Sequence, residues 1–269
     1  MNLLFIGDVV GKSGCEFLKN NLYKIKKEHT IDITIANGEN SAPGNGITKS
    51  SASELISCGV DIVTTGNHAF RRKEIGDIFD KENIIRPANY PDGCIGHGFG
   101  IFDYGRYRLA VINLMGTAFM EALDNPFSVV DDILAKIDTP NIIVDFHAEA
   151  TAEKKALGHY LAGRVTAVLG THTHVQTADE TILLKHTGYI TDVGMTGTQQ
   201  SVLGVKSEII IKVLCPFNSL MNLIIDPLTY IYLQSNHMQY LLYKQNLYQI
   251  LFLYIRGYYY RKLFLYIDN

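Results

Sequence analysis

The chain has 269 residues, enough to bury a sizeable core as one large domain or as one domain with an appendage. Its net charge of -3, spread over both signs, provides no basic stripe that could follow a phosphate backbone, so we expect no dedicated DNA or RNA binding. No apolar run of about 18 residues is present to form a transmembrane segment. The four cysteines show no C-x-x-C pair and no zinc-finger spacing, which indicates reduced thiols and predicts a cytoplasmic protein.

Apolar strands alternate with amphipathic helices along the first part of the chain. Residues 3–6 predict a first strand rather than a signal peptide, and residues 16–27 carry apolar side chains at helical spacing. The further predicted elements are strands at 31–36, 61–64, 109–114, 141–146 and 165–169, and helices at about 50–58 and 71–79. This alternation predicts an α/β fold whose strands are largely parallel in the first half.

Polar side chains that can bind a metal follow the ends of five predicted strands. They are Asp8, Glu39, Asn40, Asn67, His147, His172 and His174. Because the ligand crevice of an open α/β sheet lies at the carboxyl ends of its strands, we expect these side chains to converge on one cleft. Each residue alone has an ordinary alternative role as a helix cap, a turn residue or a buried histidine. Their joint occurrence at five strand ends favours a metal site.

The strand predicted at 165–169 leads into two histidines at i and i+2. We expect Gly170 to let the backbone turn without a Cβ, and His172 and His174 to leave the strand end on the same side. Taken alone, a short H-x-H motif is equally consistent with two polar loop residues. The polar residues at the other strand ends are therefore needed to distinguish between these two interpretations.

The order of these motifs resembles the calcineurin-like metallophosphoesterases, and more narrowly the bacterial YmdB-type phosphodiesterases. The likeness covers about residues 1–212. It rests on Gly7-Asp8, Gly38-Glu39-Asn40, Gly66-Asn67-His68, His147 and the segments 5–11, 86–89, 145–151, 171–179 and 189–197. The resemblance implies two packed mixed sheets flanked by helices, and hydrolysis of 2',3'-cyclic nucleotides to 3'-nucleotides. We also expect a homo-oligomer.

The resemblance further implies two metal ions bridged by Glu39, with a shared hydroxide as the nucleophile. The implied ligands are Asp8, Glu39, Asn40 and His174 for one ion, and Glu39, Asn67, His147 and His172 for the other. Oxygen and imidazole donors without a nearby thiolate suit iron or manganese. His68 is implied to be the general acid that protonates the departing 2'-oxygen, and the alternative is that it only supports the ligands.

One departure from the wider superfamily occurs at the first motif, where no histidine stands two residues after Asp8. We interpret Asn40 as its substitute. An amide oxygen is neutral and binds metals more weakly than an imidazole, so the sequence leaves the choice of metal open.

The composition changes from Val213 onward. Residues 213–269 contain no Ala, no Glu, one Gly and ten of the sixteen Tyr, and residues encoded by codons beginning with G nearly vanish. We predict a frameshift near Lys212 that divides a metallophosphoesterase domain at 1–212 from an atypical tail at 213–269, which packs poorly or unlike the core. The alternative is a genuine appendage, helical or in contact with a membrane surface.

Two other functions fit the same residues. One is a regulatory or interaction protein that keeps the metal site but has weak turnover. The other is a 5'-nucleotidase or a phosphoprotein phosphatase.

Overall fold

The structure is a computed structural model that describes residues 1–214, 249–252 and 264–267. The helices in this part of the chain are α1 (Gly11–Glu28), α2 (Lys49–Ser57), α3 (Ile75–Phe79), α4 (Pro126–Leu134), α5 (Thr151–Leu161) and α6 (Ser207–Leu214). The strands are β1 (Leu3–Ile6), β2 (Asp8–Val9), β3 (Ile33–Asn37), β4 (Ile62–Thr64), β5 (Phe99–Asp103), β6 (Arg108–Met115), β7 (Ile142–His147), β8 (Ala167–Thr171), β9 (Thr181–Leu183), β10 (Thr187–Ile190), β11 (Met195–Thr196), β12 (Gln249–Phe252) and β13 (Phe264–Ile267).

Two sheets pack against each other. The smaller one has the order β1-β3-β4, and the larger one has the order β5-β6-β7-β8-β10-β9. In the larger sheet β6, β7, β8 and β10 are parallel, and the antiparallel strands β5 and β9 lie at its edges. The prediction of two packed sheets flanked by helices is confirmed. The smaller sheet is parallel throughout rather than mixed, because α1 and α2 return the chain to the same edge between its strands.

The strands of the smaller sheet are buried on both faces. Leu3 and Phe5 of β1 pack against the larger sheet, whereas Leu4 and Ile6 pack towards α1 and α2. The outer face of the larger sheet is covered in the same way by α4 and α5. Each fully buried side chain of this size stabilises the fold by about 1.5–3 kcal/mol. The four layers hold the carboxyl ends of the parallel strands at one common edge.

Two predicted helices differ from the observed ones at their starts. Helix α1 begins at Gly11 rather than at residue 16. Gly14 in this added part of the helix packs against the backbone of β11, where an added Cβ would lie 2.4 Å from the Thr196 oxygen. Helix α3 begins at Ile75 rather than at residue 71. Three consecutive cationic residues at 71–73 oppose the positive end of a helix dipole. Arg72 instead donates to the carbonyl of Asn45 at 2.9 Å.

The final part of the chain is described only in pieces. Helix α6 runs across the predicted boundary at residue 212, and β12 pairs with β13 in an antiparallel ladder. Apart from these pieces, the tail predicted at 213–269 lies outside the described residues, so its predicted packing stays a prediction. Among the helices that the structure describes, none is both long and apolar enough to cross a bilayer.

Candidate metal centre

The structure brings the seven predicted ligands into one network of contacts at the common edge of the two sheets. Their positions are Asp8 at the start of β2, Glu39 and Asn40 after β3, Asn67 after β4, His147 at the end of β7, and His172 and His174 after β8. The smaller sheet and the short strand β2, which pairs with β11, therefore carry the carboxylate and amide side chains, and the larger sheet carries the imidazoles. The side chains form two groups that share Glu39.

The first group surrounds the imidazole of His147. Its Nε2 lies 3.0 Å from Asn67 Oδ1, 3.0 Å from His172 Nδ1 and 3.2 Å from Glu39 Oε1. Two ligand atoms that sit about 2.1 Å from one ion at right angles to each other are separated by about 3.0 Å. The spacing of these donors therefore fits a metal ion. One possible ligand atom from each of Glu39, His147 and His172 can be chosen so that all three lie within 4.8 Å of one another.

The second group surrounds the amide of Asn40. Its Nδ2 lies 3.3 Å from Asp8 Oδ1, 3.0 Å from Glu39 Oε1 and 3.1 Å from His174 Nε2. His174 Nε2 lies 3.6 Å from Asp8 Oδ1. In this orientation Asn40 acts as a donor, so binding a metal requires a rotation that brings Oδ1 to the same place. Because Glu39 Oε1 contacts both groups, its position fits a shared carboxylate.

Each of the three imidazoles is also held from outside by an oxygen atom. The pairs are His147 Nδ1 with Thr171 Oγ1 at 2.9 Å, His172 Nε2 with Glu149 Oε2 at 3.1 Å, and His174 Nδ1 with the Leu203 carbonyl at 3.3 Å. A neutral histidine that donates its outer N–H to an acceptor directs the lone pair of its other nitrogen inward. All three inner nitrogens face the cluster of donors. This arrangement is typical of histidines that bind metals.

Asp145 lies behind His147 and joins the two sheets. Its carboxylate accepts hydrogen bonds from Asn37 Nδ2 at 3.0 Å, from Thr171 Oγ1 at 2.7 Å and from the Thr64 hydroxyl. Because the Thr171 hydroxyl donates its hydrogen to Asp145, the lone pairs of Thr171 Oγ1 remain available to accept a hydrogen bond from His147. Burial raises the pKa of Asp145 to about 6, although His147, Thr64 and Thr171 oppose the rise. Asp145 is not among the predicted site residues, but its position two residues before His147 on one strand places both on the same face.

Within the cluster, the pKa of Glu39 is lowered and the pKa of His147 is raised, so the two side chains carry opposite charges. Burial favours protonation of Glu39, yet the stronger attraction to His147 and His68 holds its pKa well below the usual range. Burial lowers the pKa of His147, but Glu39 and Asp8 outweigh it and raise the value to about 9. Burial and the neighbouring His147 lower the pKa of His172. In the absence of a metal, a proton on His147 thus supplies positive charge beside Glu39.

Two glycines allow the backbone to approach these groups closely. A Cβ on Gly66 would lie 2.3 Å from the His147 ring, and a Cβ on Gly170 would lie 1.7 Å from the Thr191 oxygen. The expectation that Gly170 provides the turn is wrong, because Gly170 lies inside β8 and contacts the next strand. The turn is made by the histidines themselves, with φ angles of 102° at His172 and 63° at His174. The two rings consequently reach different groups of the cluster rather than one point.

His68, the predicted general acid, contacts the same shared carboxylate. Its backbone N–H donates to Glu39 Oε2 at 3.0 Å, and its Nδ1 lies 3.1 Å from Glu39 Oε1. The side chain is 20 % exposed, so the ring lies at the border of the cluster and not within it. Its second ring nitrogen, Nε2, is the atom that remains for contact with a bound molecule.

Two stacked sheets that carry carboxylate, amide and imidazole groups at their common carboxyl edge define the calcineurin-like metallophosphoesterase fold. A crystal structure of a putative 5'-nucleotidase from Staphylococcus aureus shares this fold, with a TM-score of 0.53 and 15 % identity over 72 % of this chain and 49 % of the other. Residues 4–221 match the family model described as YmdB-like protein. The chain belongs to this family, which confirms the resemblance inferred from the motifs.

Relatives of known name support the same class of enzyme. A 2',3'-cyclic-nucleotide 2'-phosphodiesterase of Bacillus subtilis is 50 % identical over 215 residues, covering 79 % of this chain and 81 % of the relative. A putative phosphatase/phosphodiesterase of Mycoplasma pneumoniae is 37 % identical over 223 residues, covering 80 % of this chain and 79 % of the relative. A crystal structure of a hypothetical protein from Thermus thermophilus superimposes with a TM-score of 0.82 at 38 % identity, covering 100 % of this chain and 99 % of the other. The predicted class, a phosphoric diester hydrolase, is confirmed.

Proposed function

We propose that this chain is a metal-dependent phosphodiesterase that hydrolyses 2',3'-cyclic nucleotides to 3'-nucleotides. The observation that carries the proposal is the arrangement of three imidazoles, each held from outside by an oxygen and each directed at a cluster that shares Glu39. The similarity to the Bacillus subtilis phosphodiesterase supports the cyclic nucleotide as the substrate. The chemistry of the donors supports a cationic cofactor.

Two metal ions, iron or manganese, are the cofactors that this donor set fits best. Asp8, Asn40 and His174 would hold one ion, Asn67, His147 and His172 the other, and Glu39 both. When bound, such a pair of ions activates water at neutral pH and neutralises the charge of a phosphate. The buried position of Glu39 and Asp8 keeps their negative charge away from water and so strengthens their attraction to cations.

His68 is the residue that we assign to proton transfer. Its Nδ1 is held by Glu39, which fixes the ring and leaves Nε2 free to donate a proton to the 2'-oxygen as the phosphate ester opens. An imidazole can both donate and accept a proton, which suits it to give up and regain this proton in each cycle. Opening the cyclic ester at this oxygen leaves the phosphate on the 3'-oxygen.

The test is the turnover of 2',3'-cyclic AMP by the purified full-length chain in the presence of Mn²⁺ or Fe²⁺. We expect 3'-AMP as the product, and loss of turnover in Glu39→Gln, which keeps the shape of the side chain but removes its charge. Parallel assays with 5'-AMP and a phosphorylated protein distinguish the alternative hydrolases. Faster turnover of either compound would favour those enzymes, and metal binding without turnover of any substrate would favour a regulatory protein.

The location and assembly of the protein also belong to the proposal. We infer a cytoplasmic enzyme from the sequence, and Cys15, Cys58 and Cys94 form no disulfide with one another among the described residues. A homo-oligomer and the absence of a dedicated nucleic-acid surface stay predictions. Light scattering and a salt-dependent DNA-binding assay would test these two expectations.

A further inference from the structure

A buried ion pair lies behind the loop that carries His172 and His174. Lys154 of α5 and Asp192, which follows β10, are each 1 % exposed, and Lys154 Nζ lies 2.6 Å from Asp192 Oδ2. Among the described residues, no hydrogen bond or ion pair joins either side chain to a predicted metal ligand. Removing both charges from water is costly, so a pair of this kind is weak evidence of stability and calls for another explanation.

The two charged groups bond to the backbone on both sides of His172. Lys154 Nζ donates to the carbonyl of Thr171 at 2.7 Å, and Asp192 Oδ2 accepts from the backbone N–H of Thr173 at 3.1 Å. The carbonyl before His172 and the amide after it are therefore attached to one ion pair. These contacts fix the direction of the peptide groups that flank the histidine.

The backbone between these contacts adopts a conformation that histidine rarely takes. The φ angle of His172 is 102°, and that of His174 is 63°. Such conformations persist where the surroundings determine them, because they are sterically unfavourable in a residue other than glycine. A loop without fixed contacts would relax to negative φ and turn the imidazoles away.

Asp192 is itself held in place by the residues around it. Its Oδ1 accepts from the Gly194 N–H at 2.8 Å, its backbone N–H donates to Thr177 Oγ1 at 3.0 Å, and its carbonyl accepts from the Thr177 N–H at 3.0 Å. The loop that follows His174 is thus attached to the same aspartate. The segment from 171 to 177 is thus held at its start by Lys154 and at its end by the backbone of Asp192, whose carboxylate pairs with Lys154.

We infer that the Lys154–Asp192 pair is a positioning device that holds the loop from 171 to 177 in the strained form needed for His172 and His174 to bind metal. The inference rests on the proposed metal-dependent function and adds two residues that do not touch the metal or the substrate. Partners that orient ligands from outside typically change metal affinity by 10- to 100-fold when they are altered.

The test compares the full-length wild type with Lys154→Met/Asp192→Asn, which removes both charges at once and leaves no buried charge unpaired. We expect Mn²⁺ affinity, measured by electron paramagnetic resonance of the free ion, to fall at least tenfold. We also expect faster hydrogen exchange in the metal-free variant for a peptide covering residues 171–177. Asp192→Asn alone serves as the second variant if the double variant does not fold.

Two controls separate positioning from general destabilisation. Leu161→Ala removes a buried side chain from the same helix without touching the loop, so it should lower the melting temperature but leave Mn²⁺ affinity within twofold. Lys155→Met removes the neighbouring lysine, whose ion pair with Asp179 is at the surface, and should have no effect on affinity. A fall in affinity in Leu161→Ala that matches the double variant would overturn the inference.

Wild-type Mn²⁺ affinity in a folded double variant would also overturn it, whatever the exchange data show. If the wild type binds neither Mn²⁺ nor Fe²⁺, the proposed function fails. In that case unchanged exchange in the double variant rejects the positioning role, and faster exchange confined to 171–177 retains it for the loop.

Discussion

The ring of His68 has two nitrogens with different tasks, and substitutions can separate them. His68→Asn keeps a donor near the position of Nδ1 for Glu39 but removes Nε2, whereas His68→Ala removes both. We expect His68→Asn to bind as much Mn²⁺ as the wild type. Its kcat for 2',3'-cyclic AMP should fall by roughly 10²- to 10⁴-fold, the usual contribution of a positioned acid.

The leaving group provides the control for this prediction. A nitrophenolate needs no proton to depart, so the loss on bis(4-nitrophenyl) phosphate should be much smaller than the loss on the cyclic nucleotide. Equal losses on both substrates, or metal loss in His68→Asn, would assign His68 to the support of Glu39 and remove it from proton transfer.

Asp179 gives a prediction about pH. Burial raises its pKa, but hydrogen bonds from Thr191, Thr177 and Lys155 outweigh this and hold the pKa below the usual range. Because the folded-state pKa is lower than the unfolded one, the carboxylate stabilises the fold above about pH 4 and loses this effect as the pH falls further. We expect Asp179→Asn to cost about 1–2 kcal/mol at pH 7 and progressively less below about pH 4.

Urea unfolding at pH 7, 5 and 3.5 would measure this difference. The matched control is Asp77→Asn, whose exposed pair with Lys49 should contribute about 0–1 kcal/mol at any of these pH values. A cost for Asp179→Asn that stays constant from pH 7 to pH 3.5 would contradict the assigned role of its charge.

The sequence predicts the inner donors of the site better than the residues that hold them. Asp8, Glu39 and His147 could be found because parallel strands end at a common edge, which makes residues far apart in sequence into neighbours. Lys154 could not be distinguished from Lys155, because only the packing of α5 decides which lysine is buried. The residues that bond to the outer nitrogens of the imidazoles are of common types, so no sequence pattern predicts them.

At the level of elements, Gly170 determines how closely β8 can approach the chain beyond β10. An added methyl group would meet the Thr191 backbone oxygen at 1.7 Å, and neither backbone can move without breaking the sheet. We expect Gly170→Ala to lower the free energy of unfolding by at least about 3 kcal/mol, or to prevent folding. The measurement is urea unfolding followed by circular dichroism.

Gly76→Ala is the matched control for this substitution. Gly76 lies in α3 with no atom within 4 Å of an added Cβ, so alanine should be neutral or stabilise the helix by about 0.5–1 kcal/mol. If both variants unfold alike, the close approach at Gly170 is not what restricts this position to glycine.

The sequence predicts elements well where apolar runs are long and less well at the edges of the sheets. The strand at Leu3–Ile6 was predicted with its exact bounds, because both of its faces are buried. Strands β5 and β9 were not predicted, since each lies at an edge, is partly exposed and has no continuous apolar run. Strands β2 and β11 have two residues each, too few for any periodicity to appear.

At the level of the whole molecule, the two sheets contribute different donors to one site, so a bound metal should stabilise them together. We expect Mn²⁺ at about 100 times its Kd to add about 2.7 kcal/mol and raise the melting temperature by roughly 5–10 °C. A chelator should reverse the shift. Glu39→Gln provides the control, and an equal shift in that variant would mean that the ion binds elsewhere.

The composition of residues 213–269 leads to a prediction about the gene. The family match extends to residue 221, past the change of frame that we predict near Lys212. Resequencing this region from genomic DNA should reveal a missing or extra base. A single uninterrupted frame would leave a genuine appendage as the explanation.

The pairing of β2 with β11 has a consequence for the order in which the protein can be completed during synthesis. Asp8 emerges from the ribosome first, yet its register partner is Met195, and His174 Nδ1 has the Leu203 carbonyl as its partner. At a synthesis rate of about 5–20 residues per second, roughly 10–40 s pass between the synthesis of Asp8 and that of Met195. A nascent chain that stops before residue 195 contains all seven predicted ligands but lacks the strand that pairs with Asp8. Once Leu203 has been synthesised, the nascent chain contains every described residue that hydrogen-bonds to the predicted metal ligands.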